Sequence, residues 1–385
     1  MVVGVPRESF PGEQRVALIP ASVPALTKAG FTVVLERGAG EQAGFPDAAY
    51  EEKGAEILPD RAAVFARANI IVQVLGIGAN PPRGAEDLTL FRPGQVVVGF
   101  LRPLGAPEAI EQLARTGVSA FAVELMPRIT RAQSMDALTS MATIAGYKAV
   151  VVAAHALPKL FPLMMTAAGT LRPAKVLILG AGVAGLQAIA TARKLGGVVS
   201  AYDIRPAAKE QVLSLGARFV ELPLEVQDVE DKSGYAKAQD ERFYERQREL
   251  LARVVADSDV VITTANVPGR KAPVLVTDEM VAGMAPGSVI VDLAAERGGN
   301  CSVTQAGKEI SYKGVSVFGP INIAGTVPYH ASQMYSNNLV AFLLHVFPKG
   351  EMRLNLEDEI TAGTLVAHEG RVVHPAVQRA LAQPH

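Results

Sequence analysis

The sequence predicts an α/β protein built on two doubly wound parallel sheets. Two observations carry the prediction. Short apolar, β-branched runs alternate with helical patterns in both halves of the chain, the pattern that parallel sheets with crossover helices require. Between the halves, the segment from Ser134 to about Leu160 meets no strong breaker before Pro158, and Ser134–Ala156 reads as one long helix.

In chain order, Val2–Val5 reads as a short strand, Ala21–Ala29 as a helix closed by Gly30, and Phe31–Leu35 as the next strand. Asp47–Gly54 and Arg61–Ala68 are helical patterns, and Ile70–Val74 is again apolar and β-branched. Val96–Phe100 and Val118–Val123 continue the series, with the helix Pro107–Thr116 between them. After the long helix come the strand Lys175–Leu179, the helix Val183–Leu195 and the strand Val198–Tyr202. Val260–Thr263, Ser288–Leu293 and Val315–Gly319 are further strands, and His330–Val346 is a second long helix that can return the chain to the first domain. The expected domains are 1–136 completed by 330–385, and 137–329. From Pro223 the chain becomes polar and charged, with no strand pattern, until an amphipathic helix begins near Gln239. The stretch near 221–240 is expected to be either a mobile functional loop or a solvated surface loop.

Composition narrows the class. The chain has 385 residues, with 37 Lys+Arg against 38 Asp+Glu, so no charge excess points to nucleic acid or a polybasic membrane surface. Hydrophobic residues reach 49% and mean hydropathy is +0.23, which excludes intrinsic disorder and supplies large cores. Yet no stretch reaches the ~18 uncharged apolar residues of a spanning helix, and direct membrane insertion is not expected. The single cysteine, Cys301, excludes an internal disulfide framework and suits a reducing compartment. MVVGVPRESF lacks the features of a signal peptide, so a cytoplasmic protein is expected, with its apolar surplus in cores and a subunit interface.

The most specific local signal is KVLILGAGVAGLQAIATARKLGGVVSAYD. Gly180, Gly182 and Gly185 form G-x-G-x-x-G after an apolar strand, and Val183 and Ala184 open the helix that follows. Gly180 suits a tight turn, Gly182 a close approach to a pyrophosphate, and Gly185 helix–strand packing. The free N–H groups of the helix N-terminus would face the phosphates. Asp203 closes the next strand, where a carboxylate accepts from adenosine ribose hydroxyls and repels a 2′-phosphate. These features predict Rossmann-like domains and an NAD(H) site. Arg205 cuts the other way, since a guanidinium there could pair with the phosphate of NADP(H).

An NAD-dependent dehydrogenase also needs a proton acceptor beside its substrate, usually His or Lys. The first 154 residues hold no histidine, and the lysines before the fingerprint are Lys28, Lys53, Lys148, Lys159 and Lys175. Lys28 and Lys53 lie on solvated helix faces, and Lys175 opens the fingerprint strand. Metal ligands are equally sparse, and no metal site is expected. Hydride exchange between two nicotinamides needs no such group, because the cofactors carry the chemistry.

Several segments together carry a family likeness: RVALIP at 15–20, MPRITRAQSMDALTSMATIAGYKAV at 126–150, MTAAGT at 165–170, the fingerprint, GYAK at 234–237, ITTANVPGRKAPVL at 262–275 and GSVIVDLAAERGGNC at 287–301. Over essentially its whole length the chain resembles the soluble NAD(H)-binding component of proton-translocating nicotinamide nucleotide transhydrogenases, in the separately encoded alpha-1 form. The resemblance implies a homodimeric subunit that binds NAD(H) and passes hydride directly to NADP+ on a partner subunit. Membrane-spanning subunits would couple the exchange to proton translocation, leaving this chain peripheral to the membrane and active only with its partners.

The resemblance also implies residue roles. Arg128, Gln133 and Asp136 match a loop that holds the nicotinamide end of NADH. Read without it, the same segment is a helix N-terminus capped by Ser134 or Asp136. Gly234 and Tyr235 match the tip of a mobile lid. Asp203, Ile204 and Arg205 match the adenosine-side segment. Gln247, Thr264 and Asn266 match positions lining adenosine and ribose, though the family often has leucine at 266. The related alanine dehydrogenases are the alternative. Their substrate lysine and histidine fall near Leu75 and Arg102 here, while their substrate arginine matches Arg15. An NAD-sensing regulatory module is a second alternative.

Overall fold

The computed structural model describes residues 1–222, 241–266, 271–351 and 354–382. The chain forms two compact units, Met1–Met141 with Ala324–His385, and Ala142–Ile323. In chain order the strands are β1 (Val2–Val5), β2 (Thr32–Glu36), β3 (Glu56–Leu58), β4 (Ile70–Leu75), β5 (Val96–Phe100), β6 (Ser119–Ala122), β7 (Met164–Thr166), β8 (Gly169–Leu171) and β9 (Lys175–Leu179). They continue with β10 (Val198–Tyr202), β11 (Arg218–Phe219), β12 (Val260–Thr263), β13 (Val289–Asp292), β14 (Glu309–Tyr312), β15 (Val315–Phe318), β16 (Leu365–His368) and β17 (Arg371–Val372).

In the first unit the strand order is β17-β16-β6-β5-β4-β1-β2-β3, parallel from β6 through β3. Direction of winding reverses at β1, which pairs with β2 on one side and β4 on the other. Its central strands are buried over nearly their full length, as helices on both faces of a parallel sheet demand. A core of Val34, Phe65, Ile71, Val97, Ile110 and Leu113 fills one side. The helix Pro328–Val346 belongs to this unit and buries Tyr335, Leu339, Phe342 and Leu343 completely. It starts two residues before the bound expected from the sequence because Pro328 fits the first helical position.

The second sheet runs β11-β10-β9-β12-β13-β15-β14 and reverses at β9. Val176, Ile178, Val199, Ile262 and Val291 belong to its core, against Ala149, Val150 and Ala153 of the helix Ala137–Ala156. The two α/β sheets expected from the sequence are present, but neither is purely parallel. β16 and β17 run antiparallel beyond β6, and β14 runs antiparallel to β15. The physical reason is turn length. Glu369 and Gly370, both at positive φ (48° and 77°), join β16 to β17 in two residues, and so short a turn can only reverse the strand. Lys313 and Gly314, at 50° and 84°, do the same between β14 and β15. A separate hairpin, β7–β8, has no counterpart among the strands expected from the sequence.

The long helix begins at Ala137, after a 3-10 turn over Thr130–Met135, rather than at Ser134. Among the described residues it alone is long and apolar enough to cross a membrane, by length and composition. It carries Lys148 in its interior. The helix expected from about Gln239 runs over Glu241–Ala256.

Candidate functional site

In the second unit the candidate site forms where β9, β10 and β12 end. β9 leaves the sheet at Leu179, and Gly180 turns the chain with φ +100°, a conformation that L side chains rarely adopt. Its N–H donates to the Tyr202 carbonyl at 2.8 Å, and its carbonyl accepts from the Thr264 hydroxyl at 2.9 Å. A side chain at Gly185 would overlap the Gly180 carbonyl. Gly182 is different. Its backbone is ordinary extended (φ −76°, ψ −168°), and a Cβ built there meets no atom of the described residues within 4 Å. Nothing in the described residues demands glycine at 182; a ligand approaching the backbone would. Gly182 caps the helix Val183–Lys194, whose first turn contains Val183, Ala184 and Gly185. The leading N–H groups of such a helix lack intrahelical acceptors and favour an anion. The turn therefore fits a pyrophosphate.

Asp203 follows β10 and is buried. One carboxylate oxygen accepts from the Ala181 N–H at 2.7 Å, stapling the glycine turn to the second strand. The other accepts from the Arg205 N–H at 2.8 Å. The Arg205 guanidinium folds back onto both oxygens, donating through Nε and Nη2 at 2.9 Å each. Repulsion of a 2′-phosphate is consequently weaker than Asp203 alone would give, because its charge is already paired. Ile204 between them is half-buried.

Gln247 is 2% exposed on the helix Glu241–Ala256. Its Nε2 donates to the Tyr202 hydroxyl at 2.8 Å, while its buried Oε1 has no hydrogen-bond partner among the described residues. Burial pushes the Tyr202 phenol up to about 12, against the pull of the Gln247 hydrogen bond. Thr264 is committed to the Gly180 carbonyl, and Asn266 Oδ1 accepts from Arg297 at 2.9 Å. Gly234 and Tyr235 lie outside the described residues.

Sequence reasoning passed over Asp292 and Asn300. Asp292 is fully buried at the end of β13. Its Oδ1 accepts from the Thr263 hydroxyl and the Ala294 N–H, and its Oδ2 from the Asn300 and Cys301 N–H groups and the Thr304 hydroxyl, all at 2.8–3.0 Å. Asn300, also fully buried, donates through Nδ2 to the Ala265 and Pro273 carbonyls at 2.9 and 2.8 Å. This pair shapes the rim that carries Thr264 and Asn266. One signal was available: an aspartate ends the apolar run VIVD much as Asp203 follows VVSAY.

The other three predicted residues lie in the first unit. Arg128 and Gln133 are exposed on the segment before the long helix. Asp136 accepts from the Thr139 N–H at 2.9 Å and the Thr139 hydroxyl at 2.6 Å, so it serves as the helix N-cap. Arg15 is buried and holds Glu13 through Nε and Nη2 at 2.8 and 2.6 Å, with Nη1 3.1 Å from the Met141 sulfur. Its guanidinium is thus engaged by side chains of its own unit.

A glycine turn at a strand-order reversal, stapled by a buried aspartate, is the arrangement that doubly wound α/β proteins use for dinucleotides. The chain belongs to the alanine dehydrogenase/PNT family: residues 4–145 match its N-terminal domain and residues 149–375 its C-terminal domain. It is 44% identical over 379 residues to "NAD(P) transhydrogenase subunit alpha" of Cereibacter sphaeroides, covering 97% of this chain and 71% of that one. In Rhodospirillum rubrum the similar chain is the first portion of an NAD(P) transhydrogenase subunit alpha, 43% identical over 380 residues, or 98% of this chain and 99% of that one. Identity to alanine dehydrogenase of Bacillus subtilis is 30%, over 99% of this chain and 95% of that one. Among solved structures, transhydrogenase from Sinorhizobium meliloti superposes with a TM-score of 0.84 at 45% identity, covering 98% of this chain and all of that one. The likeness supports a transhydrogenase component with an oxidoreductase role, and the family implies use of NAD(H).

Proposed function

We propose that this chain is the NAD(H)-binding subunit of a proton-translocating transhydrogenase, working as a homodimer on the cytoplasmic face of membrane-spanning partner subunits. Bound NADH supplies a hydride from nicotinamide C4 to NADP+ held on a partner subunit, giving NAD+ and NADPH with no proton released. The chain's own residues bind and orient. The helix opening at Gly182, Val183 and Ala184 takes the pyrophosphate, and Asp203, Ile204 and Arg205 take the adenosine ribose. Gln247, Thr264 and Asn266 line the same end. Arg128 and Gln133 hold the carboxamide end of the nicotinamide, with Asp136 fixing the start of the helix behind them.

The observation that carries the reading is Gly182, a glycine that no described neighbour requires and whose backbone stands open to a ligand. The alanine dehydrogenase alternative has less support. A leucine and an arginine stand near the positions where its lysine and histidine are expected, at Leu75 and Arg102, and Arg15 is engaged by Glu13. The isolated protein should bind NADH yet neither reduce NADP+ nor oxidise alanine, and adding the NADP(H)-binding subunit should switch transfer on. Rapid NAD-dependent alanine oxidation by the isolated chain would overturn the assignment. Tight NADH binding without transfer in the mixture would favour a sensor module.

A further inference from the structure

We propose that Arg131, held by Asp358, is a positioning residue for the loop Pro127–Met135, and so for Arg128 and Gln133. The inference rests on the reading that these two residues hold the nicotinamide end of NADH, and it adds what holds them. All the groups involved belong to the first unit.

The loop contains the 3-10 turn Thr130–Met135, of which only Ala132 and Met135 are buried. Among the described residues, contacts from the C-terminal segment hold it at both ends and in the middle. A Cβ at Gly363, on the helix Glu359–Thr364, would stand 3.4 Å from Pro127 Cδ, so this helix packs closely on the loop's first residue. Asn338 Nδ2 donates to the Ser134 carbonyl at 2.8 Å near the other end. Between them, Arg131 donates to Asp358 Oδ1 at 2.7 Å and to Glu359 Oε2 at 3.3 Å.

The two carboxylates are not equivalent. Glu359 is 70% exposed, and an ion pair to it does little. Asp358 is 11% exposed and caps the helix Glu359–Thr364. Its Oδ2 accepts from the Thr361 N–H at 2.9 Å, the Thr361 hydroxyl at 3.1 Å and His345 Nε2 at 2.9 Å. Burial alone would raise this carboxyl. The hydrogen bonds from His345, Thr361 and Arg131 outweigh burial and hold it well below the usual carboxylate range. A carboxylate fixed by three donors offers its remaining oxygen in one direction, and Arg131 is bound there. Arg131 itself is half exposed, so losing the contact should not unfold the unit. It should let the loop wander, and misplacing a reacting group by about 1 Å can cost up to about 100-fold in rate.

The test uses the protein reconstituted with the NADP(H)-binding subunit. Arg131→Met should lower maximal hydride transfer about tenfold, with the NADH dissociation constant changed less than about twofold and the unfolding midpoint unmoved. Arg131→Lys should recover part of the rate, and Glu359→Gln should behave as wild type. In a double-mutant cycle, Asp358→Asn should add little to the loss from Arg131→Met. Wild-type rates in Arg131→Met would overturn the proposal, as would a rate loss accompanied by an equal loss of NADH affinity, which means direct ligand contact. If Asp358→Asn does not fold, the Arg131 variants still decide. A wild-type mixture that transfers no hydride overturns the functional reading instead, and this proposal with it.

Discussion

The two units hold sheets of the same winding, and they treat the point where the winding reverses in opposite ways. In the second unit β9 ends in a glycine turn, open at Gly182 and followed at once by a helix. In the first unit β1 ends in Pro6, Arg7 and Glu8, and the next α-helix starts only at Val23. The Glu8 carboxyl group occupies the strand ends itself, its oxygens accepting from the Val74 and Leu75 N–H groups at 2.6 and 3.1 Å. Those amides lie where the β4–β5 ladder slips register, between Val72 and Leu75. Close by, Glu13 and Arg15 pair with each other. The comparison teaches that a doubly wound sheet does not by itself make a nucleotide site. What matters is whether the reversal point is left open to an anion or filled by the chain's own carboxyl group.

Asp292 fixes the open rim by accepting five hydrogen bonds, against the two that Glu8 accepts from backbone amides. Asp292→Ala should destabilise the protein by at least about 3 kcal/mol, because several buried donors each cost roughly 1–3 kcal/mol when orphaned. Urea unfolding checks this, and a loss under about 1 kcal/mol would mean that the network relaxes onto water.

Gly182→Ala should leave that unfolding midpoint unchanged, since the added methyl meets no atom of the described residues. NADH affinity should nevertheless fall about 100-fold, or about 2.7 kcal/mol, because the backbone can no longer approach the pyrophosphate. Titration by calorimetry reads it, and undiminished binding would put the phosphates elsewhere.

Glu8 makes the filled crevice sensitive to pH. Burial and the Glu13 carboxylate push its carboxyl up to about 8, against the two amides and Arg61, which pull it down. A carboxyl raised in the folded state contributes its full stability below its unfolded value near 4.5 and loses it as pH climbs through about 8. Thermal unfolding followed from about pH 5 to about pH 9 should show a decline over that window in the wild type and a flatter profile in Glu8→Gln. Identical profiles would remove the protonated carboxyl from the account.

The smallest effect concerns the cofactor's second phosphate. Freed of Arg205, the Asp203 charge should repel NADPH more strongly, so Arg205→Ala should widen the preference for NADH over NADPH a few-fold, about 1 kcal/mol. Wild-type protein that binds NADPH as tightly as NADH would contradict the NAD(H) assignment.

Much of the fold was legible, for a local reason. β1, β5, β9, β10 and β12 have the bounds that their apolar runs announce, because a strand buried on both faces must be apolar throughout. Most strands that escaped are short or at an edge, though β16, four residues long and buried between β17 and β6, escaped as well. β11 and β17 have two residues each, and β3, β7 and β8 three, too few to show a period. β14 is an edge strand half open to solvent. The glycine turn was readable because its backbone demands fall on particular residue types at fixed spacing. The Asp292 network was not, since its donors return across twelve residues of loop whose closure no local pattern encodes. Nor could sequence show that Arg205 would fold onto Asp203, or that Arg131 would meet a carboxylate 227 positions away.

The central claim is direct hydride passage from a nucleotide on this chain to one on a partner. NADH carrying deuterium at the transferring C4 position, mixed with this protein, the NADP(H)-binding subunit and NADP+, tests it in one mass measurement. The account predicts that the label appears in NADPH undiluted by solvent, and only when both proteins are present. Label lost to water, or NADPH formed without this chain, would contradict it.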